Sequence, residues 1–285
     1  MAAMFWGGTF IAGRVLAPLL DPVSAAFLRF LTASCLLVGW LYLTQGRLPR
    51  LSFRQTIAVT ALGVTGVLAY NLLFFGGLQT VEAGRAALIV ALNPIVIALA
   101  SIWFFNERLT GRQLLGIALS LMGAVIVIAR GELDALLQGG VGQGELLLIG
   151  CVVSWVLYTL IGKRLLHQLS PLAAVTYASV AGTLMLGLMV ITRGGLDIEQ
   201  LFAAEILLSI AYLAVFGTVL AFVWYYSGVQ AIGPGRAGQF INLVPVSGVM
   251  LGALLLGEPL THSLLLGALL VVSGLWLTSR KRSLG

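Results

Sequence analysis

Apolar residues gather into ten long runs with short polar breaks between them. The runs cover about Ala2–Leu20, Val23–Leu43, Gln55–Gly76, Gly84–Phe105, Arg112–Ala129, Leu146–Gly162, Leu172–Ile191, Ile206–Gly228, Gly235–Leu256 and His262–Thr278. A helix of ~20 residues crosses the hydrocarbon core of a bilayer. Lipid offers no partner to an open backbone N–H or C=O, so continuous runs of this length are predicted to be helices. Several are only just long enough to span, which implies tight loops.

Composition supports this pattern. The chain is 60% hydrophobic and 9% charged, against about 25% charged for a soluble domain, so it cannot cover a water-facing surface. The net charge of +6 does not point to nucleic acid, because the basic residues lie between apolar runs instead of on one domain. Their placement reads as an orientation signal. Eleven of the sixteen fall in alternate breaks: Arg47, Arg50 and Arg54; Arg108 and Arg112; Lys163 and Arg164; Arg236; and Arg280, Lys281 and Arg282. Four fall on the other side (Arg14, Arg85, Arg130, Arg193), and Arg29 lies inside the second run. Both termini are therefore expected in the cytoplasm, with the longer breaks near Gly131–Glu145 and Arg193–Glu205 facing outward. No cleavable signal peptide is expected.

The second half repeats the first. Gly77–Gly123 aligns without gaps on Gly228–Gly274, 151 positions later, with 15 of 47 residues identical. The identities include Gly84-Arg85-Ala86 with Gly235-Arg236-Ala237, Pro94 with Pro245, Glu107 with Glu258, and Leu109-Thr110 with Leu260-Thr261. These residue types have positional roles, so their coincidence outweighs that of matched leucines. Earlier runs repeat at an offset of 149, where Trp6, Gly13, Arg14 and Pro22 meet Trp155, Gly162, Lys163 and Pro171. Trp6 has fewer residues ahead of it than Trp155 has in its own run, so the first helix is expected to be cut short. Five runs per copy is an odd number, so the second copy must lie upside down relative to the first. Inverted repeats are a transporter architecture, with cargo held near the midplane between them. The expected units are 1–130, an outward-facing linker at 131–144, and 145–285.

Candidate chemistry is sparse. All ten acids lie in breaks or at run ends, as do His167 and His262. No metal cluster or buried carboxylate pair is expected, and no cofactor. Without a midplane carboxylate, movement down the cargo's gradient without obligatory ion coupling is expected. Cys35 and Cys151 suit small core packers. Glu107 and Glu258, each just ahead of a Thr that suits an N-cap, are read as structural, favouring a helix dipole. Arg14 and Arg29 are expected to snorkel from the outer ends of the first two spans; a cavity-facing arginine that attracts a carboxylate is the alternative. Gly84, Ala87 and Ala91, with Gly235 and Gly238, suit close helix packing. Pro94 and Pro245, near mid-run, are candidate hinges.

The aromatics carry the site expectation. Trp6 and Thr9 share a helix face, and Trp155 and Tyr158 repeat the spacing. Trp155 lies too deep for an interfacial belt. Tyr70 and Phe74 lie near Asn71 in the third run, Tyr225 is equivalent to Phe74, and Gln239 and Asn242 add amides. Ring faces with a few amides suit an uncharged or zwitterionic organic molecule.

The duplicated Pro, Glu-x-Leu-Thr and Gly pattern across ten runs resembles the drug/metabolite transporter superfamily, EamA type, over essentially the whole chain. Its most specific part is the block Asn93-Pro94 to Gly123 paired with Val244-Pro245 to Gly274. Within that superfamily the chain looks most like the YddG-type bacterial amino-acid exporters. The resemblance implies ten helices around a central cavity and export of small metabolites across the bacterial inner membrane. The expectation is thus an all-α integral membrane protein, monomeric in the bilayer, with no nucleic acid partner and no enzymatic activity. Its expected cargo is a small molecule, amino acids including aromatic ones. Other cargo (nucleosides, sugars, drugs) is the alternative. A channel would need a continuous polar lining that the runs lack, and an enzyme lacks its groups.

Overall fold

The computed structural model describes residues 1–93, 95–97, 100, 111–128, 141–196, 200–232, 237, 241 and 243–279. Among these residues all regular structure is helical. The helices are α1 (Ala2–Leu16), α2 (Pro22–Gln45), α3 (Phe53–Leu62), α4 (Tyr70–Leu78), α5 (Ala83–Val90) and α6 (Gly111–Ile128), then α7 (Gln143–Leu165), α8 (Pro171–Thr192), α9 (Ala204–Ala214), α10 (Ala221–Ile232), α11 (Leu243–Leu256) and α12 (His262–Ser279). Every predicted run holds at least one of them. Among the described residues five continuous helical stretches are long and apolar enough to cross a membrane: Pro22–Gln45, Phe53–Leu78, Gln143–Leu165, Pro171–Thr192 and Ala204–Ala231. Shorter apolar helices follow the second and the fifth of them.

Two of those stretches are not plain α-helix. A π-helix, Gly63–Ala69, joins α3 to α4, and another, Val215–Leu220, joins α9 to α10. At the offset of 151 the second covers the same positions as 64–69 of the first. The apolar pattern had suggested unbroken helices here, because hydropathy is the same whichever backbone ring closes.

Helix starts follow local chemistry. Asp21 accepts from the amides of Val23 and Ser24 ahead of Pro22, and its counterpart Ser170 accepts from that of Ala173 ahead of Pro171. Each side chain satisfies an orphan donor, and each proline occupies a position with no bond to lose. Ser52 and Gln55 form a reciprocal capping box on α3. Thr261 accepts from the amide of Leu264 and caps α12. Glu258 does not serve α12. Its carboxylate accepts from the amides of Ala83 (2.7 Å) and Gly84 (3.0 Å) at the start of α5, in the other half of the sequence. The structural role expected for this acid is present, on a different helix; Glu107 and Thr110 lie outside the described residues. Glu145 is buried in the first turn of α7, where it pairs with Arg85 at 3.7 Å.

Repeat mates meet each other. The Trp6 and Trp155 rings pack edge-on at 5.3 Å between centroids. Ser34 and Thr183, 149 positions apart, share a hydrogen bond of 2.9 Å. The Ser120 hydroxyl donates to the carbonyl of Val271, 151 positions on. On helices α6 and α12, a Cβ on Gly123 would stand 2.7 Å from the Gly267 carbonyl oxygen, and a Cβ on Gly274 would strike that of Gly116. The two contacts are reciprocal, since Gly116 and Gly267 are themselves mates. Small residues let these backbones touch. Helices α5 and α11 approach in the same way, where a Cβ on Gly248 would meet Ala87 at 2.5 Å.

Candidate functional site

The site is built on the two π-helices. A π turn widens the helix and displaces its carbonyls from the ordinary ladder. In the first, the Asn71 amide donates to the carbonyls of Gly66 (3.2 Å) and Val67 (2.8 Å). In the second, the Thr218 hydroxyl donates to the Leu213 carbonyl at 2.9 Å. The carbonyl of Gly217 accepts from the Trp6 indole at 3.1 Å and from the Arg29 guanidinium at 3.2 Å. Gly66 and Gly217 are mates with matching neighbours. A Cβ on Gly66 would enter the Tyr158 ring, and one on Gly217 would stand 2.6 Å from the Thr9 methyl. Thr9 and Tyr158 are themselves mates, so the close approach of helix to π turn is made twice.

Above these turns lies a cavity of about 30 Å³. Of the expected site residues, Trp6, Thr9, Tyr70, Phe74 and Trp155 line it. Tyr158 and Tyr225 stand behind the wall, their rings 5.2 Å and 5.5 Å from that of Trp155. Gln239, Asn242 and Pro94 lie outside the described residues, and Pro245 falls in the first turn of α11. Sequence reasoning missed Phe10, Val90, Asn93, Phe222, Ile241 and Val244, which complete the lining with Arg29. Three pairs in the lining are repeat mates: Trp6 with Trp155, Val90 with Ile241, and Asn93 with Val244. That symmetry was a usable signal, because a residue beside a site residue's mate is itself a candidate.

Arg29 departs from its expected placement. It sits seven residues into α2, roughly 10 Å along the axis at 1.5 Å per residue, and is 3% exposed. It does not snorkel. Its Nε donates to the Thr218 hydroxyl (2.9 Å), Nη1 to the Asn71 carbonyl oxygen (3.0 Å) and Nη2 to the Gly217 carbonyl. The second π turn thus holds it directly and the first holds it through Asn71, and buried acceptors compete better for it than a distant headgroup. Arg14 behaves differently. It is half-buried and donates to the carbonyls of Leu78 (2.6 Å) and Gln79 (3.1 Å), where a cation suits the end of α4.

A wider crevice of about 340 Å³ lies elsewhere, between Arg54, Gln55, Leu157 and Arg164. Its residues come from α3, α7 and the turn after α7, and include none of the aromatic cluster. Among the described residues no group of His, Cys, Asp and Glu could hold a metal ion.

The sequence profile of the EamA-like transporter family matches residues 1–129 and 142–280. The chain is 29% identical to the uncharacterized transporter YyaM of Bacillus subtilis, over 95% of this chain and 89% of that one. It is 28% identical to an uncharacterized transporter of Archaeoglobus fulgidus, with 99% and 97% covered. It is also 28% identical to the uncharacterized inner membrane transporter YedA of Escherichia coli, with 90% and 81% covered. A solved crystal structure superposes with a TM-score of 0.72 at 20% identity, covering 98% of this chain and 93% of the other. That likeness is one of fold.

Proposed function

Because the chain belongs to the EamA-like transporter family, it is a multi-pass membrane transporter, and we propose that it exports small metabolites, amino acids including aromatic ones foremost, by alternating access. The observation that carries this reading is the ring-walled cavity where the two halves of the sequence meet. Trp6, Tyr70, Phe74 and Trp155 offer aromatic rings, while Thr9, Arg29 and Asn93 supply polar groups to the same cavity. Ring faces supply apolar area and attract an ammonium group, worth roughly 0.5–2 kcal/mol according to desolvation. A cavity of about 30 Å³ is well below the ~300–1,000 Å³ of a site that encloses a small organic molecule. An amino acid therefore enters only when the walls part, as a carrier requires and an open channel does not.

Ten transmembrane helices in two inverted five-helix repeats, 1–130 and 145–285, are part of the proposal. The contacts between repeat mates support it, because mates meet on the axis that relates two copies. The linker 131–144 then faces outward. Pro94 and Pro245 serve as hinges, and Gln239 and Asn242 extend the binding wall. The likeness to YddG-type exporters, a bacterial inner membrane location and a monomeric state belong to the same reading. Purified protein in liposomes tests the cargo. Labelled neutral amino acids are expected to enter faster than nucleosides, sugars or cationic drugs; preference for one of the latter would replace amino acids as the cargo.

Orientation has its own expected result. The eleven-to-four bias of basic residues puts both termini in the cytoplasm. In a cysteine-free background, a cysteine at Gln138 will react with an impermeant maleimide applied to intact cells, and one at Ser283 will not. The reverse pattern rules out this topology.

A further inference from the structure

We propose that the cargo must carry a carboxylate, that this carboxylate binds Arg29, and that a donor on the cargo, the ammonium of an amino acid, meets Asn93. The inference rests on the cavity being the cargo site and narrows what that site accepts.

Arg29 is a buried cation on the cavity wall. Its bonded partners are a hydroxyl, an amide oxygen and a backbone carbonyl, all neutral. The ion pairs among the described residues are Arg85 with Glu145 and Arg193 with Asp21, neither involving Arg29. A guanidinium stays charged and has five N–H donors. Three are used, so five minus three leaves two, one on each terminal nitrogen. A carboxylate takes two parallel N–H bonds from such a fork. A buried charge without a counter-charge is costly, and a partner that arrives and leaves with each cycle relieves that cost only while bound. The neutral π-turn partners fix the guanidinium in place without competing for the cargo's charge.

The second observation is independent. The Oδ1 of Asn93 is buried and has no hydrogen-bond partner among the described residues, and Asn93 lines the same cavity. A buried acceptor left unsatisfied is rare and marks a place where something binds. The cavity lining thus includes two free donors on a cation and a free acceptor, together with the rings of Trp6, Tyr70 and Trp155. Carboxylate, ammonium and an apolar side chain together form a neutral amino acid. The arginine has no repeat mate, since Ala178 occupies the equivalent position, so the carboxylate end is fixed to the half of the cavity that contains α2.

The test is competition against labelled L-phenylalanine uptake in proteoliposomes made with wild-type protein. Phenylalanine and 3-phenylpropanoate, which keeps the carboxylate and lacks the ammonium, are expected to compete. Phenylethylamine, which lacks the carboxylate, is expected to compete about tenfold more weakly or worse, because charge-assisted bonds are the strong ones. Arg29→Gln is expected to lose phenylalanine uptake, and Asn93→Leu to bring phenylalanine and phenylpropanoate to equal potency. Equal competition by phenylethylamine overturns the inference and leaves amino-acid transport standing. Wild-type protein that carries phenylpropanoate but no amino acid overturns the amino-acid reading and leaves Arg29 as a carboxylate site. Uptake of carboxylate-free cargo that requires chloride in the buffer assigns the guanidinium to an inorganic anion and also overturns the inference. Where Arg29→Gln lowers the folded yield, the competition on wild-type protein decides alone.

Discussion

Gly217→Val will abolish transport and lower the folded yield. The added side chain meets the Thr9 methyl at 2.6 Å and the Arg29 guanidinium at 3.5 Å. Thr9 is held by its own hydroxyl bond to the Trp6 carbonyl, and Arg29 by three bonds, so neither can retreat without breaking a buried contact. The Gly217 carbonyl would move with its π turn and lose both the indole and the guanidinium. Overpacking a filled site costs about 1–3 kcal/mol, and two weakened buried hydrogen bonds add to that. Gly217→Ala should fall between. Gly39 is the control, because it is exposed on α2 with nothing within 4 Å of its Cβ position. Gly39→Ala should melt at the wild-type temperature or slightly above, since alanine favours helix over glycine by about 1 kcal/mol. Melting in detergent and uptake in liposomes check both. A Gly217→Val protein with wild-type uptake would show that the π turn can move freely and that the site is not built on it.

Trp155→Ala will cost both transport and folded protein. The side chain is nearly buried, and its ring touches those of Trp6, Tyr70, Tyr158, Phe222 and Tyr225 at centroid distances of 5.2–5.5 Å. Truncation opens a void in that cluster, at about 3–5 kcal/mol for Trp→Ala in a core. The ring lines the cavity and also packs against five neighbouring rings, so its truncation acts on both. Trp155→Phe separates them. It keeps most of the apolar area, so the melting temperature should fall only slightly. Relative uptake of tryptophan, phenylalanine and leucine should still change, because one wall of the cavity has changed shape. An unchanged order across those amino acids would make Trp155 core packing.

Much of this was legible in the sequence, for physical reasons. Membrane helices announce themselves by length and hydropathy, and a repeat that preserves Pro, Glu, Thr and Gly marks equivalent positions. Trp6, Thr9, Tyr70, Phe74 and Trp155, singled out by mates and helical spacing, line the cavity. Arg29 was misplaced because it breaks the symmetry and because run ends, not tertiary partners, set its expected depth. What holds it, the Gly217 carbonyl and the Thr218 hydroxyl, comes from a π turn 188 and 189 positions away in the chain. Apolar patterning does not distinguish a π ring from an α ring, so that turn was invisible. Tyr158 and Tyr225 share the chemistry of the wall yet stand behind it, a difference of helix rotation that spacing alone does not fix. The bond from Glu258 to α5 joins parts of the chain about 175 positions apart, beyond any local capping rule.

The central claim is that a carrier moves an amino acid through the ring-walled cavity between the two halves. Counterflow tests it most directly. Liposomes holding purified protein are loaded with unlabelled phenylalanine and diluted into a trace of labelled phenylalanine. The account predicts a transient accumulation of label above equilibrium, absent in Arg29→Gln, which removes the guanidinium from the cavity lining. Label that enters only to equilibrium at a rate indifferent to the internal amino acid, or an overshoot that Arg29→Gln leaves intact, would contradict it.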